Sequence, residues 1–288
     1  TELVLNVGDP IGKTNAPRCY NKLFELLNMN AIMLPCEIKK GELPQLLEAC
    51  KLMGIHYLCP TMPHKGDFVD LLDDVDETSR LFHSVNAIRI DENGSHGAGM
   101  DGKGAVRALL DGGAKLSGTN ALLYGAGGIA GVVAYELSCQ NVKKIYIANR
   151  TPEKAEAIAK VLREHTAAQA EVIGTDAASL DRAAEDCELF ANLTPLGMKG
   201  FPYQHDYLGF IDRLPGTATV FDCIINPPES ETIAAAKKNG LNTVPGMYML
   251  VAQMDVIFDF LFQKKITQAD KEACIEELCS YLGVDKPS

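Results

Sequence analysis

The chain has no excess of basic charge: 27 Lys and Arg stand against 38 Asp and Glu, a formal balance of -11 over 288 residues. Such a surface repels phosphate backbones, so nucleic acid is not the expected partner. Nine cysteines are present, but they form no CxxC pair and no Cys/His spacing suited to a metal. An odd count, set mostly in apolar runs of a long chain, reads as reduced, partly buried thiols in a cytoplasmic protein. No apolar run is long enough to span a bilayer, and the most apolar late stretch, 247–262, is broken by Gln253, Asp255 and Asp259. Residues 1–8 have no basic segment and too short an apolar run to read as a secretory signal. Internal repeats and low-complexity linkers are also missing. What is present is ordinary globular usage, 47% hydrophobic and 23% charged. At about 150 residues per domain the length suggests two domains.

Short β-rich runs alternate with helical runs throughout. Residues 3–7, 31–38, 55–59 and 84–90 predict strands, while Leu43, Leu46, Leu47, Cys50 and Met53 recur at helical spacing. Residues 103–110 predict a helix ending at Gly112-Gly113. A second series begins with 121–124, an apolar strand without alternation, as expected when both faces are covered. A glycine cluster, a helix over 129–137 and a strand over 144–148 follow. Thr151-Pro152 has the form of an N-cap and a first helical position, with Ala155, Ile158, Val161 and Leu162 as the apolar face behind it. Strands near 171–173, 189–193 and 219–222 complete a parallel pattern. Helices over 247–262 and 269–282 close the chain, the last with Thr267 and Asp270 placed for a capping box. The expected class is α/β. The pattern reads as a first α/β unit of about 100 residues followed by a second with a parallel sheet.

The strongest local signal is Gly125-Ala126-Gly127-Gly128-Ile129-Ala130-Gly131. It follows a buried strand and opens a helix. Gly125 permits the tight turn, Gly127 lets backbone approach a pyrophosphate, and Ala130 allows close helix–sheet packing. The helix N-terminus offers unpaired N–H groups to the phosphates. The next strand ends Ala148-Asn149-Arg150-Thr151, with no Asp or Glu to grip a ribose 2′-hydroxyl. Asn149, Arg150 and Thr151 supply donors instead, and a guanidinium suits a 2′-phosphate. NADP is therefore the expected cofactor, with NAD possible. Such a cofactor carries the hydride, so the rest of the chain must position a substrate and move a proton. On spacing alone Lys65 reads as a solvated lysine, His64 as a helix-start or surface histidine, and Asp101 as a helix N-cap.

Eight segments in order change that reading. They are Asp9 to Pro17 followed by Asn21, Thr61-Met62-Pro63-His64-Lys65, Ser84-Val85-Asn86-Ala87-Ile88 and Gly97 to Asp101. Then come Gly125 to Gly128, Asn149-Arg150-Thr151, Asn192 to Met198, and Gly246 with Met249-Leu250 and Gln253. In motif order and spacing the whole chain resembles the shikimate dehydrogenase family. The resemblance implies a two-domain α/β enzyme, an N-terminal α/β substrate domain, 1–104, completed by 247–288, and a Rossmann-type doubly wound parallel-sheet domain over 105–246, with its active site in the cleft between domains. It implies reversible oxidation of a ring hydroxyl on a small cyclic hydroxy acid. Lys65 and Asp101 would be the catalytic pair. Thr14, Thr61, Asn86 and Gln253 would bind substrate, and Thr194 and Gly246 would lie along the nicotinamide.

The chain departs from the family in places. The two carboxylate-binding serines are Thr14 and Ala16, a Tyr near the carboxylate is Ile225, a His is Lys13, and an Asn is Cys59. Loss of the hydroxyls at Ala16 and Ile225 removes bonds each worth about 1.5–3 kcal/mol to a charged group. Together they would weaken shikimate binding by roughly several hundred-fold. Lys13 either replaces them as a point charge on the substrate or faces solvent. Three readings follow: an NADP-dependent shikimate dehydrogenase, the same chemistry on quinate or another cyclic polyol, or a non-catalytic NADP-binding sensor. A monomer and a homodimer fit equally well.

Overall fold

The fold is a computed structural model that describes residues 1–12 and 14–287. Packing divides the chain into two compact units. One is Thr1–Asp101 with Gln253–Gly283, the other Gly102–Ala252 with Val284–Ser288.

In the first unit β1 (Glu2–Gly8), α1 (Ala16–Leu26), β2 (Ala31–Glu37), α2 (Leu43–Met53) and β3 (Tyr57–Pro60) form a parallel β-α-β-α-β run with β1 in the middle. The short β4 (Asp74–Val75) and α3 (Glu77–Phe82) lead to β5 (Ala87–Asp91), which turns antiparallel against β3. β6 (Gly94–Ala98) returns beside β5, giving the order β2-β1-β3-β5-β6-β4. The strand expected over 84–90 therefore starts late. Ser84 to Asn86 form a bridge instead, with the Val85 N–H on the Lys65 carbonyl at 2.9 Å and the Asn86 N–H on that of Ala98 at 3.1 Å.

One side of this sheet buries Leu43, Leu47 and Cys50 of α2 with Leu58, Phe68 and Ile88. Elsewhere in the unit is an aromatic cluster. Tyr20 and Phe24 of α1 lie 5.4 and 5.5 Å from Phe258, and Phe262 stands 4.7 Å from Tyr57. The edge strand β2 is sealed. Asn21 from α1 turns its amide along it, donating to the Met33 carbonyl at 3.1 Å and accepting the Met33 N–H at 2.7 Å. By strand alternation Ala31 and Pro35 face the same way as Met33. The Ala31 N–H is taken by the Met29 carbonyl at 2.9 Å, and Pro35 has none.

The second unit opens within α4 (Asp101–Asp111), whose first residue still belongs to the first unit. β7 (Asn120–Tyr124), α5 (Ala130–Cys139), β8 (Lys144–Ala148), α6 (Pro152–His165) and β9 (Gln169–Ile173) build one half of a parallel sheet. α7 (Ala177–Glu185), β10 (Leu189–Asn192), β11 (Thr219–Asp222), α8 (Glu231–Lys238) and β12 (Asn242–Pro245) build the other. The strand order is β12-β11-β10-β7-β8-β9, so the direction of winding reverses between β7 and β10. In such sheets ligands bind beyond the carboxyl ends of the strands at that reversal. Leu122, Phe190 and Val220 fill the core under the sheet with Phe210. α9 (Gly246–Phe262) passes from the second unit to the first at Gln253, and α10 (Gln268–Leu282) begins with the expected Thr267–Asp270 capping box. Two of the boundaries, 101/102 and 252/253, thus lie within helices, where the sequence reading has 104/105 and 246/247, and the third, 283/284, follows α10. Among the described residues no disulfide forms, no group of side chains could hold a metal, and no helix is long and apolar enough to cross a membrane.

Candidate active site and nucleotide site

The first unit gathers three side chains from distant parts of the chain around one carboxylate. Lys65 Nζ donates to Asp101 Oδ2 at 2.6 Å. Gln253 Nε2 and Asn86 Nδ2 both donate to Oδ1, at 2.6 and 3.1 Å. The Met100 N–H donates to Asn86 Oδ1 at 2.7 Å, which fixes which end of that amide faces the carboxylate. Asp101 is no N-cap: it is the first residue of α4, it is buried, and its oxygens are taken up by side chains. Lys65 keeps two ammonium hydrogens beyond the one on Asp101, and 22% of its side chain remains open. An ammonium held by a carboxylate, with donors to spare, suits proton exchange with a substrate oxygen.

His64 is fully buried, not at the surface. Its Nε2 lies 2.8 Å from the Ile38 carbonyl, which can only accept, so that nitrogen carries the proton. Nδ1 lies 3.4 Å from Asp67. The ring anchors the turn that presents Lys65.

Thr61 begins that turn, its N–H on the Val7 carbonyl at 2.8 Å. Thr14 is bound to a buried neighbour. Asn6 Nδ2 donates to the Cys59 carbonyl at 2.8 Å, so Oδ1 is turned to Thr14, whose hydroxyl donates to it at 2.8 Å. The Thr14 hydroxyl proton is thus already used. Cys59 is buried, which pushes its thiol up to about 12. Lys13 lies outside the described residues.

The nucleotide residues come from the second unit alone. Gly125 takes φ +113, and a Cβ there would lie 2.6 Å from Thr194 Cγ2, so the turn admits only glycine. At Gly127 and Gly128 a Cβ would meet nothing within 4 Å, so this backbone faces open space as a phosphate cradle must. Gly125, Ala126, Gly127, Asn149, Arg150, Thr151 and Thr194 line one cavity of about 310 Å³. Gly128 and Ile129 do not line it, though they lead into α5. Gly246 is elsewhere, pressed on the backbone of Cys223, where a Cβ would come within 2.4 Å. Asn149 ties the loop to β8 instead of leaving its amide for a ligand. Its Oδ1 accepts the Ala126 N–H at 3.1 Å and its Nδ2 donates to the Thr151 carbonyl at 2.8 Å. Lys154, in the first turn of α6, joins Arg150 on the cavity wall. Among the described residues neither cation has an acidic partner.

Residues 7–88 match the family model for the shikimate dehydrogenase substrate binding domain, and 108–181 match that for shikimate / quinate 5-dehydrogenase. A shikimate dehydrogenase (NADP(+)) of Alkaliphilus oremlandii is 32% identical over 261 residues, 90% of this chain and 91% of that one. The chain belongs to the shikimate dehydrogenase family. Among solved structures, shikimate 5-dehydrogenase from Listeria monocytogenes, in complex with shikimate and NAD, has a TM-score of 0.88 at 25% identity, covering 95% of this chain and 96% of that one. The ligand-free 5-ketofructose reductase of a Gluconobacter strain has a TM-score of 0.87 at 25% identity, covering 96% and 99%. The α/β class expected from the sequence, a substrate domain with a Rossmann-type domain, is that of the shikimate dehydrogenase family.

Beneath the cavity lies a polar pair that sequence reasoning passed over. Asn192 and Asp222 end adjacent strands and are fully buried. Asp222 accepts from Asn192 Nδ2 at 3.0 Å, from the Ile224 N–H at 3.0 Å and from the Ser230 hydroxyl at 2.5 Å. Burial raises its carboxyl from 3.8 to about 6. A carboxyl that protonates more readily folded than unfolded lends stability that is complete below about pH 3.8 and is lost as pH rises through about 6. The loss is about 3 kcal/mol. Asp222→Asn does not titrate. Urea unfolding should show the variant gaining on the parent by about 3 kcal/mol between about pH 4 and pH 7. A pH-independent difference would contradict the raised carboxyl.

Proposed function

We propose that the chain is an NADP-dependent oxidoreductase interconverting 3-dehydroshikimate and shikimate. The observation that carries this reading is the 2.6 Å contact between Lys65 Nζ and Asp101 Oδ2. It lies in a chain of the shikimate dehydrogenase family. When bound, NADP supplies the hydride in reduction and takes it in oxidation. Lys65 moves the proton. In reduction its ammonium gives a proton to the ring carbonyl oxygen as the carbonyl carbon gains hydride. In oxidation the neutral amine takes the hydroxyl proton back. Asp101 holds the ammonium and orients the reacting hydroxyl. Thr61, Asn86 and Gln253 bind the other ring hydroxyls, Lys13 the acidic end. Residues 1–104 with 247–288 serve the substrate, and 105–246 the cofactor. Gly125 to Ile129 receive the pyrophosphate, with Thr194 and Gly246 toward the nicotinamide. The net charge favours a small-molecule substrate over nucleic acid. We place the chain in the cytoplasm, as a monomer or homodimer.

Arg150, Thr151 and Lys154 would hold the 2′-phosphate, and the two unpaired cations fit a dianion. Asn149 acts by shaping the loop. Reduction of NADP by shikimate, followed at the reduced-nicotinamide band, tests the whole reading, and no reduction under any ring acid would refute it. Arg150→Ala should raise the KM for NADP roughly tenfold to a hundredfold, from the loss of a charge-assisted bond. The KM for NAD should stay put. Equal effects on both would remove Arg150 from the 2′-phosphate site.

A second substrate is favoured by one observation. The Thr14 hydroxyl is committed to Asn6, which leaves it without a proton for a carboxylate. The same chemistry on a neutral cyclic polyol would then proceed faster, whereas quinate, a carboxylate like shikimate, gains nothing from it. The ratio of kcat/KM across shikimate, quinate and an uncharged polyol decides between them.

A further inference from the structure

We infer that Asp222 is a positioning residue for the nucleotide: it fixes the side-chain amide of Asn192, and through it the wall residue Thr194. This rests on the nucleotide reading of the cavity that Thr194 lines.

An amide can face either way, so its orientation must come from its partners. Asn192 and Asp222 are opposite one another in the β10–β11 register, at the last position of each strand. Asp222 Oδ1 receives the Ile224 N–H and Asn192 Nδ2, both at 3.0 Å. An ionised carboxylate only accepts, so the NH2 end of Asn192 must face it. The oxygen end is thereby turned to Thr194. There it takes two bonds, from the Thr194 N–H at 3.1 Å and from its hydroxyl at 2.7 Å. With its proton donated, Thr194 Oγ1 can only accept, and it takes the Leu196 N–H at 3.3 Å. These bonds set the Thr194 rotamer, which places the methyl group against Gly125, the turn residue of the phosphate loop. The other carboxylate oxygen is held by Ser230, which also caps α8 through the Ile233 N–H at 3.2 Å. Asp222 itself is sealed from solvent and is not on the cavity wall.

Remove the acceptor at 222 and the Asn192 NH2 end is left unpaired in the interior, with only the two bonds from Thr194 to hold the amide. If it turns, an NH2 meets the Thr194 N–H, and two donors facing one another push the loop away from Gly125. The conservative change behaves differently. Asp222→Asn keeps an oxygen for Asn192 and Ile224 and turns its NH2 to Ser230, whose hydroxyl can accept as well as donate.

The test is calorimetric binding of NADP to the whole protein, with steady-state kinetics beside it. Asp222→Ala should weaken NADP binding about tenfold or more and raise the KM for NADP to match. At saturating NADP, kcat and the KM for the ring substrate should hold. Asp222→Asn should bind NADP within about twofold of the parent. Thr194→Val keeps the methyl shape and loses the hydroxyl bonds, so it should reproduce the loss. The Asp222→Ala, Thr194→Val double variant should lose no more than either alone, since both act through one link. Unchanged NADP binding in a folded Asp222→Ala overturns the inference, as does an additive double variant. So does Asp222→Asn failing as badly as alanine. If Asp222→Ala does not fold, Asn192→Ala decides, because Asn192 is buried and off the cavity wall: parental affinity overturns the inference, a tenfold loss upholds it. A parent protein that binds no NADP overturns the nucleotide reading itself, and the inference with it.

Discussion

Lys65→Met should stop turnover while NADP binding continues. Methionine keeps the length and apolar stem of lysine and removes only the ammonium. Asp101 retains two amide donors, from Asn86 and Gln253, so the carboxylate is not left bare in the interior. What disappears is the group that exchanges a proton with the ring oxygen. Positioned acid–base groups contribute roughly 10²–10⁴-fold to rate. A loss of that order in kcat is expected, with the NADP dissociation constant unchanged by fluorescence titration. The nucleotide cavity lies wholly in the second unit and takes nothing from Lys65. A kcat within tenfold of the parent would assign the proton step to another residue.

Asp101→Asn should do comparable damage for a different reason, although the two side chains have nearly the same shape. Both oxygens of Asp101 accept: Oδ2 from Lys65, Oδ1 from Asn86 and Gln253. Asparagine has one oxygen and one NH2. If the NH2 faces Lys65, the ammonium loses its acceptor. If it faces the amides, two donors in the interior lose theirs. Hydrogen bonds to charged groups are worth about 1.5–3 kcal/mol, and stranded donors cost a similar amount. The expected result is kcat lower by roughly a hundredfold or more. A fall of about 2–4 °C in Tm for each kcal/mol lost should accompany it. An Asp101→Asn protein with parental kcat and Tm would show that the carboxylate is not the hub of this cluster.

Much of this molecule was legible in the sequence, and the failures have physical causes. The second unit read well because buried parallel strands are continuous apolar runs and the glycine loop stands between a strand and a helix. In the first unit, β6 was missed because Gly94–Ala98 contains glycine, serine, histidine and alanine and no β-branched residue. Histidine 64 looked superficial because its partner, the Ile38 carbonyl, lies 26 residues away. Lys65 and Asp101 lie 36 residues apart, and Asp101 and Gln253 lie 152 apart. No periodicity reports such contacts, and only the order of family motifs singled the residues out. Lys154 could have been found, since it follows Thr151 by three and so shares the first helical turn with it. The pairing of Asn192 with Asp222 could not, because it depends on strand register.

The Asn21 amide on Met33 bears on how copies of the chain can meet. Ile32 and Leu34 expose apolar side chains on β2, a combination that ordinarily invites edge-to-edge growth of sheets. Yet between residues 31 and 35 every outward N–H is occupied or missing. An incoming strand would find no ladder to climb there. A sheet continued from one copy into the next along this stretch of β2 is closed, and copies that meet there must do so through side chains.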